Sequence, residues 1–463
     1  MIKEKKDLHL GLDGIPRTDF TIEKLGEARF PSPFAYSTVQ GDSIVNFVED
    51  SEHVLFDARY DSAYTPEQNG NFAAQDNLME RAGPRGKLYF DPQRVTAGIC
   101  TCGGLCPGLN DVIRAIVRSL TIGYKIKQVW GFRYGFKGML KDSPFSPIVL
   151  TKELVDDIHK QGGSFLGSAR GGTEKPNDIV DTLMKHHINV LFVIGGDGSQ
   201  KGAKLIAETA EKRGYQLSVV GVPKTIDNDL MFIQKTFGFE TAVAKAQEAV
   251  SAAHIEAKGA YNGIGLVKVM GRDSGFIAAE TALASHEVNF VLIPEVPFDL
   301  YGANGLLHLL QQRLRAKNHA VIVVAEGAGQ NLMDTEVGLL NSKDAGGNKK
   351  MHDIGPYLRE KIMQYFNEIG MDISVRYIDP SYIIRASTPV PSDALYCARL
   401  GANAVHAAMS GRTKVLMSYW SGAYVHVPIT LATQKRNKLN PESSLWRDVL
   451  ESTLQPPVMN NRS

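Results

Sequence analysis

Cysteine is scarce in this chain: Cys100, Cys102, Cys106 and Cys397 are the only four in 463 residues. So few thiols in so long a chain exclude a disulfide-stapled scaffold. Three of them cluster as C-x-C-x3-C, an unusual zinc spacing that would need a fourth ligand from far along the chain, so small buried thiols are expected. Net charge is scarce too. Lys and Arg number 51 against 50 Asp and Glu, leaving +1. That balance offers no electrostatic footprint for nucleic acid or an anionic membrane. No apolar run approaches the ~20 residues needed to span a bilayer. The start, Met1 to Asp7, has the charge of a signal peptide without its apolar core, and a cytoplasmic location is expected. A G-x-x-x-x-G-K-[ST] phosphate loop is missing, and Gly103-Gly104-Leu-Cys-Pro-Gly108 lacks the G-x-G-x-x-G spacing of a dinucleotide fold.

What is present is an alternation of apolar runs and helical patterns. The length alone calls for two domains or more. Residues 1–93 carry scattered Pro and Gly, the polar stretch 66–71, and short apolar runs at Ser43–Val48 and Val54–Phe56. They read as an extension, either packed on the main body or a neighbouring subunit or left as a partly ordered arm. From Val95 the pattern is regular. Strands are predicted at Val95–Thr101, Lys127–Gly131, Asn189–Ile194, Leu217–Val222, Gly263–Met270, Phe290–Ile293, Ala320–Ala325, Ser374–Asp379 and Val415–Trp420. Helices are predicted from Asp111, with Asn110 or Asp111 as N-cap, over Phe239–Ala257 and over Ser274–Ser285. Gly329–Lys350 reads as a long loop. The fold class is therefore α/β with largely parallel sheets.

Two sites of opposite preference emerge at strand ends. The first gathers Gly103-Gly104, Arg170-Gly171 and Gly196-Asp197-Gly198-Ser199. Glycines let backbone N–H groups approach a phosphate. A guanidinium can grip phosphate bidentately, and Mg²⁺ favours one or two carboxylates plus phosphate oxygens, a role that suits Asp197. The second gathers Asp227, Arg272, Glu326, Arg376 and Arg385. Arginines with carboxylates suit an anionic, hydroxyl-rich ligand such as a sugar phosphate. Asp227 and Asp229 lie two apart, so in an extended loop both face one side. One can then act as general base on a substrate hydroxyl while the other tunes the metal environment.

At Pro223-Lys-Thr-Ile-Asp-Asn-Asp229 the chain resembles the 6-phosphofructokinase family, and the match runs from about Val95 to about Pro428. Gly103–Asn110, Leu166–Arg170, Gly195–Ser199, Met270–Arg272 and Glu326 recur in the family's order. The resemblance implies two similar three-layer domains, with the active site in the cleft between them. The donor domain would take residues 94–238 plus about 386–435. The fructose 6-phosphate domain would take 239–385 plus about 436–463.

It also implies Mg²⁺-dependent phosphoryl transfer to the C1 hydroxyl of fructose 6-phosphate, a glycolytic step. Asp227 would be the base, with Lys224 and Arg272 in the catalytic set. Asp197 would hold the metal, and Gly104, Arg170, Gly171, Gly196, Asp197, Gly198 and Ser199 the donor. Thr225, Ile226, Asp227, Met270, Gly271, Arg272, Glu326, Arg376, Tyr382, Ile383, Ile384 and Arg385 would hold the sugar phosphate.

Pyrophosphate users of the family carry Asp where this chain has Gly198 and Lys where it has Lys224. A carboxylate at 198 would occlude the α-phosphate of a nucleotide, so Gly198 favours ATP. The alternatives are a pyrophosphate-dependent enzyme or a non-catalytic regulatory subunit. A homotetramer, or a dimer, is expected. Allosteric control is a family trait, and Arg114 and Arg118 match positions that line an effector site in bacterial members.

Overall fold

The computed structural model describes residues 19–58, 77–338, 340 and 350–461. Four short strands come first: β1 (Phe30–Pro31), β2 (His53–Leu55), β3 (Leu78–Glu80) and β4 (Lys87–Leu88). β1 pairs with β4 and β2 with β3. No strand forms over Ser43–Val48, which contributes a single bridge from Asn46 to Ser37. Residues 66–71 lie outside the described residues. The described part of the extension packs on the main body. Phe20 sits edge-on to Phe232 at 5.4 Å, and the Trp420 indole donates to the Phe56 carbonyl at 2.9 Å.

The first large sheet draws on β5 (Thr96–Thr101), α1 (Leu109–Arg118), β6 (Gln128–Phe132), β7 (Ile148–Val149), α2 (Pro176–Lys185), β8 (Val190–Gly195), α3 (Asp197–Lys212) and β9 (Ser218–Pro223). After α4 (Phe239–Gly259) come β10 (Gly263–Val269), α5 (Phe276–Ser285), β11 (Phe290–Leu292), α6 (Leu306–Lys317), β12 (His319–Ala325), α7 (Gln330–Glu336), α8 (Ile354–Glu368) and β13 (Ser374–Ile378). Then α9 (Ser381–Ala386) and α10 (Pro391–Met409) lead back to β14 (Val415–Trp420) and β15 (Ala423–Pro428), followed by α11 (Ile429–Ala432) and α12 (Ser444–Thr453).

The first sheet has seven strands in the order β15-β14-β9-β8-β5-β6-β7, and the second has four in the order β11-β12-β10-β13. All four strands of the second are parallel. In the first, only the edge strands β15 and β7 run antiparallel. The fold is thus α/β with mostly parallel sheets, of unequal width. Every residue of β5, β8 and β9 is buried. Cover on both faces is what makes these strands read as continuous apolar runs.

Two expectations are corrected and one strand is added. Asn110 and Asp111 lie inside α1, whose N-cap is Gly108 with φ of 94°. The Asn110 amide instead pins a distant loop, donating to the Gln161 carbonyl and accepting from the Phe165 N–H. The supposed loop after Gly329 begins with α7, a helix of seven residues with one buried side chain, Met333. That is too short to show a helical period. β15 is the returning arm of a hairpin closed by Ser421 and Gly422, both at positive φ. This is the two-residue turn that suits the twist of paired strands.

Topology fixes where ligands can bind. β5 lies between β6 and β8, and the chain visits β6 before returning to β8 on the other side. Strand order therefore reverses at β5, and the crevice beyond the carboxyl ends of β5 and β8 is the binding position of an open parallel sheet. β10 lies in the same way between β12 and β13.

Candidate active site

The wall at the carboxyl ends of β5 and β8 is made largely of backbone. Gly196 precedes α3 without a side-chain cap, so Asp197 opens a helix whose first N–H groups face the crevice end of β8. Such a terminus is a ready anion site. At Gly198 an added Cβ would meet nothing within 4 Å among the described residues, and the same holds at Gly104. A glycine in a first helical turn that no neighbour requires leaves that space open to something else. The Arg170 loop is sewn to the glycine turn after β5. Cys102 bridges Ala169, the Gly103 N–H donates to the Ala169 carbonyl, and the Ser168 hydroxyl donates to the Gly103 carbonyl at 2.7 Å. The four cysteines are buried and unbridged, as expected.

Lys224 ties the two walls. The residue is 7% exposed, and its ammonium donates to the Gly104 carbonyl at 2.9 Å. Burial lowers its pKa. The adjoining loop carries Thr225, the buried Ile226, Asp227 and Asp229. The Thr225 hydroxyl donates to Asp229 Oδ1 at 2.6 Å and accepts from the Asp227 N–H. Arg436 ion-pairs with the other oxygen of Asp229, which is 2% exposed. The Ser274 hydroxyl holds the Asp227 carbonyl at 3.0 Å.

Asp227 itself is differently placed. Its Oδ1 is buried and accepts no hydrogen bond among the described residues. Burial, then Asp229 and Glu326, push its pKa up to about 7, against the Arg272 N–H and Arg385. A carboxylate so tuned can hold or release a proton near neutrality.

The second sheet supplies the remaining groups from the ends of β10 and β12. Gly271 turns at φ 126°, and a Cβ there would strike the Ser274 carbonyl at 2.4 Å. Around this turn the Arg272 N–H meets Asp227, and Met270 meets Arg385. Glu326 follows β12, its pKa raised by burial against Arg385, Lys268 and Arg272. Arg385, half-buried on α9, donates to the Met270 sulfur at 3.3 Å. Ile384 is buried in the core, while Tyr382 and Ile383 are exposed.

Asp227, Arg272, Met270, Glu326 and Arg385 are thus brought together. Arg376 is not. It lies mid-strand in β13, opposite Gly265, and pairs with Glu256 on α4. Sequence reasoning missed Arg436, although the basic run Lys435, Arg436, Lys438 was a signal. Arg114 and Arg118 both face Asp156. Among the described residues no group of three His, Cys, Asp or Glu could enclose a metal, and no helix is long and apolar enough to cross a membrane.

Comparison with known proteins gives the family. The model described as "Phosphofructokinase" matches residues 96–408. The ATP-dependent 6-phosphofructokinase of Borreliella burgdorferi is 53% identical over 450 residues, covering 96% of this chain and 98% of that protein. The enzyme of that name from Amycolatopsis methanolica is 46% identical, covering 95% of each. That of Trypanosoma cruzi is 42% identical, covering 96% and 89%.

Among solved structures, the pyrophosphate-dependent phosphofructokinase of Marinobacter aquaeolei superposes with a TM-score of 0.62 at 22% identity, over 78% of this chain and 92% of that one. The Pichia pastoris phosphofructokinase gives 0.61 at 23%, over 79% and 38%. At those identities the structures speak for the fold. With the family model matching most of the chain and relatives about half identical from end to end, this chain belongs to the phosphofructokinase family.

Proposed function

We infer that the chain is an ATP-dependent 6-phosphofructokinase, which transfers the γ-phosphoryl group of ATP to the C1 hydroxyl of fructose 6-phosphate in glycolysis. The observation that carries this reading is Asp227. Its buried, unpartnered oxygen stands between a backbone-built anion site and a cluster of two arginines and a glutamate. In phosphoryl transfer a protein mainly positions, neutralises charge and supplies a base. Asp227, near pH 7, accepts the proton of the sugar hydroxyl as the new P–O bond forms. Arg272 neutralises charge beside it. Lys224 holds the donor turn against the acceptor loop. Glu326 accepts hydrogen bonds from sugar hydroxyls, and Arg385 pairs with the 6-phosphate.

Arg170, Gly171, Gly104 and the α3 terminus, Gly196 to Ser199, take the phosphates of the donor. The open space at Gly198 supports a nucleotide rather than pyrophosphate. Asp197, a single mostly buried carboxylate at that terminus, fits Mg²⁺ carried in by donor phosphates, which requires few protein ligands. Bound there, the ion would neutralise the charge of the transferred group.

We divide the chain as the resemblance implies. The donor domain is 94–238 with about 386–435, supported by β14 and β15 completing the first sheet. The sugar domain is 239–385 with the tail, and residues 1–93 are an extension. A homotetramer, with a dimer as the smaller form, is supported by the exposed Tyr261, Tyr382 and Ile383. In such an assembly Arg376 could reach substrate across a contact. A cytoplasmic location accords with these assignments. Turnover of fructose 6-phosphate with ATP and with pyrophosphate tests the reading. ATP should support it and pyrophosphate should not; turnover with pyrophosphate alone would overturn the donor assignment.

A further inference from the structure

The segment between α11 and α12 joins the acceptor loop to the second sheet. Its start is tied to the acceptor loop by the Met231 N–H on the Ala432 carbonyl and by a bridge between Leu230 and Arg436. Next, the Asn437 N–H donates to the Asp229 carbonyl at 2.9 Å. Its end is tied to the second sheet, where the Leu439 N–H donates to Glu295, which also receives the Gly275 N–H at the start of α5. From the middle of this strap Arg436 reaches into the site. It ion-pairs with Asp229 and lies 4.0 Å from Asp197. Burial works against its charge, but Asp229, Asp197 and Asp273 together keep it firmly protonated.

One guanidinium therefore stands between the carboxylate of the donor wall and the buried carboxylate of the acceptor wall. We propose that Arg436 is a positioning residue, holding Asp229 and the acceptor loop in register with the donor wall and screening the Asp229 charge from Asp227. The inference rests on Asp227 being the base. Asp227 faces Asp229 on its own loop, Glu326 after β12, Arg272 after β10, Arg385 on α9, Lys224 after β9 and Cys106 in the donor turn. Of these, Asp229 is the neighbour whose charge Arg436 directly offsets.

The test compares Arg436→Met, Arg436→Lys and the double variant Asp229→Asn/Arg436→Met, using the full chain with ATP, Mg²⁺ and fructose 6-phosphate. Arg436→Met should lower kcat on the order of 100-fold while each KM changes far less, as for lost transition-state positioning. The acid limb of its kcat profile should rise on the order of one pH unit. Arg436→Lys should recover most of kcat. The double variant removes both members of the pair, so it avoids stranding a buried charge, and its acid limb should return to the wild-type position.

If Arg436→Met unfolds, the double variant and Arg436→Lys decide. An acid limb still raised in the double variant, or equal losses in the Lys and Met variants, overturns the proposal. Asp227→Asn separates this from failure of the underlying reading. If that variant keeps the wild-type acid limb, Asp227 is not the base, and the fault lies there rather than with Arg436.

Discussion

At Gly104 and Gly198, on the donor wall, an added methyl group would meet nothing within 4 Å among the described residues. On the acceptor wall Asp229 is 2% exposed and held from both sides by Thr225 and Arg436. One wall offers N–H groups and room; the other offers charged side chains fixed by one another. On the proposed function, the contrast follows from the two substrates. A chain of phosphates presents uniform negative charge, which a helix terminus and a glycine turn can meet without directional side chains. Selection among donors then becomes a matter of space. A sugar presents hydroxyls and one anion, and the reaction needs a proton taken from one particular oxygen. That demands placed carboxylates and arginines, and their mutual repulsion and attraction set the base.

The sharpest way to break the comparison is Asp227→Asn. This near-isostere keeps the loop's contacts and removes the proton acceptor. Loss of kcat should be on the order of 10³-fold, within the range for general base catalysis, with thermal stability nearly unchanged. An unchanged rate would take Asp227 out of the base role. In the wild type, activity should fall as pH drops below about 7, because burial and Asp229 hold the carboxyl's pKa there and protonation removes the base.

Gly198→Asp tests the other wall. It fills the open space with a like charge and should raise KM for ATP on the order of tens of fold, the cost of a few kcal/mol in binding. KM for fructose 6-phosphate should stay within error, since the acceptor wall is untouched. Should both constants move together, the walls are not independent.

Within the acceptor wall, Arg385→Ala and Arg376→Ala should differ. Arg385 contacts Met270 and bears on Glu326 and Asp227. Its loss should raise KM for fructose 6-phosphate on the order of 10- to 100-fold, as for a charged hydrogen bond of 1.5–3 kcal/mol. In an isolated subunit Arg376 pairs with Glu256, so Arg376→Ala should have the smaller effect. Equal effects would place Arg376 at the substrate through a contact between copies.

Much of this was legible in the sequence, for a physical reason. Val190–Gly195 is buried on both faces and reads as an unbroken apolar run, and the polar residues that end such runs sit where a parallel sheet opens. Asp197, Asp227, Arg272 and Glu326 could be found that way. Arg436 could not, because its partner Asp229 lies 207 residues away and only the path of the strap joins them. Arg376 misleads for the opposite reason. Its nearness in sequence to Arg385 hides that it is mid-strand, two residues into the pairing of β10 with β13. The β15 hairpin was readable from Ser421-Gly422 between two apolar runs.

The smallest effect on catalysis is expected farthest from the cleft, where the extension meets β14 and β15. Glu80 on β3 is mostly buried, bonded to Arg412 and, at 2.7 Å, to His426 Nδ1. Arg85 approaches it at 3.4 Å. Burial opposes its ionisation, but the His426 hydrogen bond and the Arg412 guanidinium overcome this and hold its pKa down to about 2, against an ordinary 4.5. A depressed carboxyl pKa stabilises the folded chain above the unfolded value and ceases to do so as pH falls through the folded one.

Glu80→Gln should therefore lower the melting temperature above pH 4.5, since it removes one of the two carboxylates that hold the buried Arg412 and leaves only Asp50. The difference from wild type should shrink as pH is lowered toward 2. Calorimetry across that range reads it directly, and a difference independent of pH would mean that Glu80 acts by shape and not by charge. Activity at neutral pH should be almost unchanged, which would separate the clasp of the extension from the chemistry of the cleft.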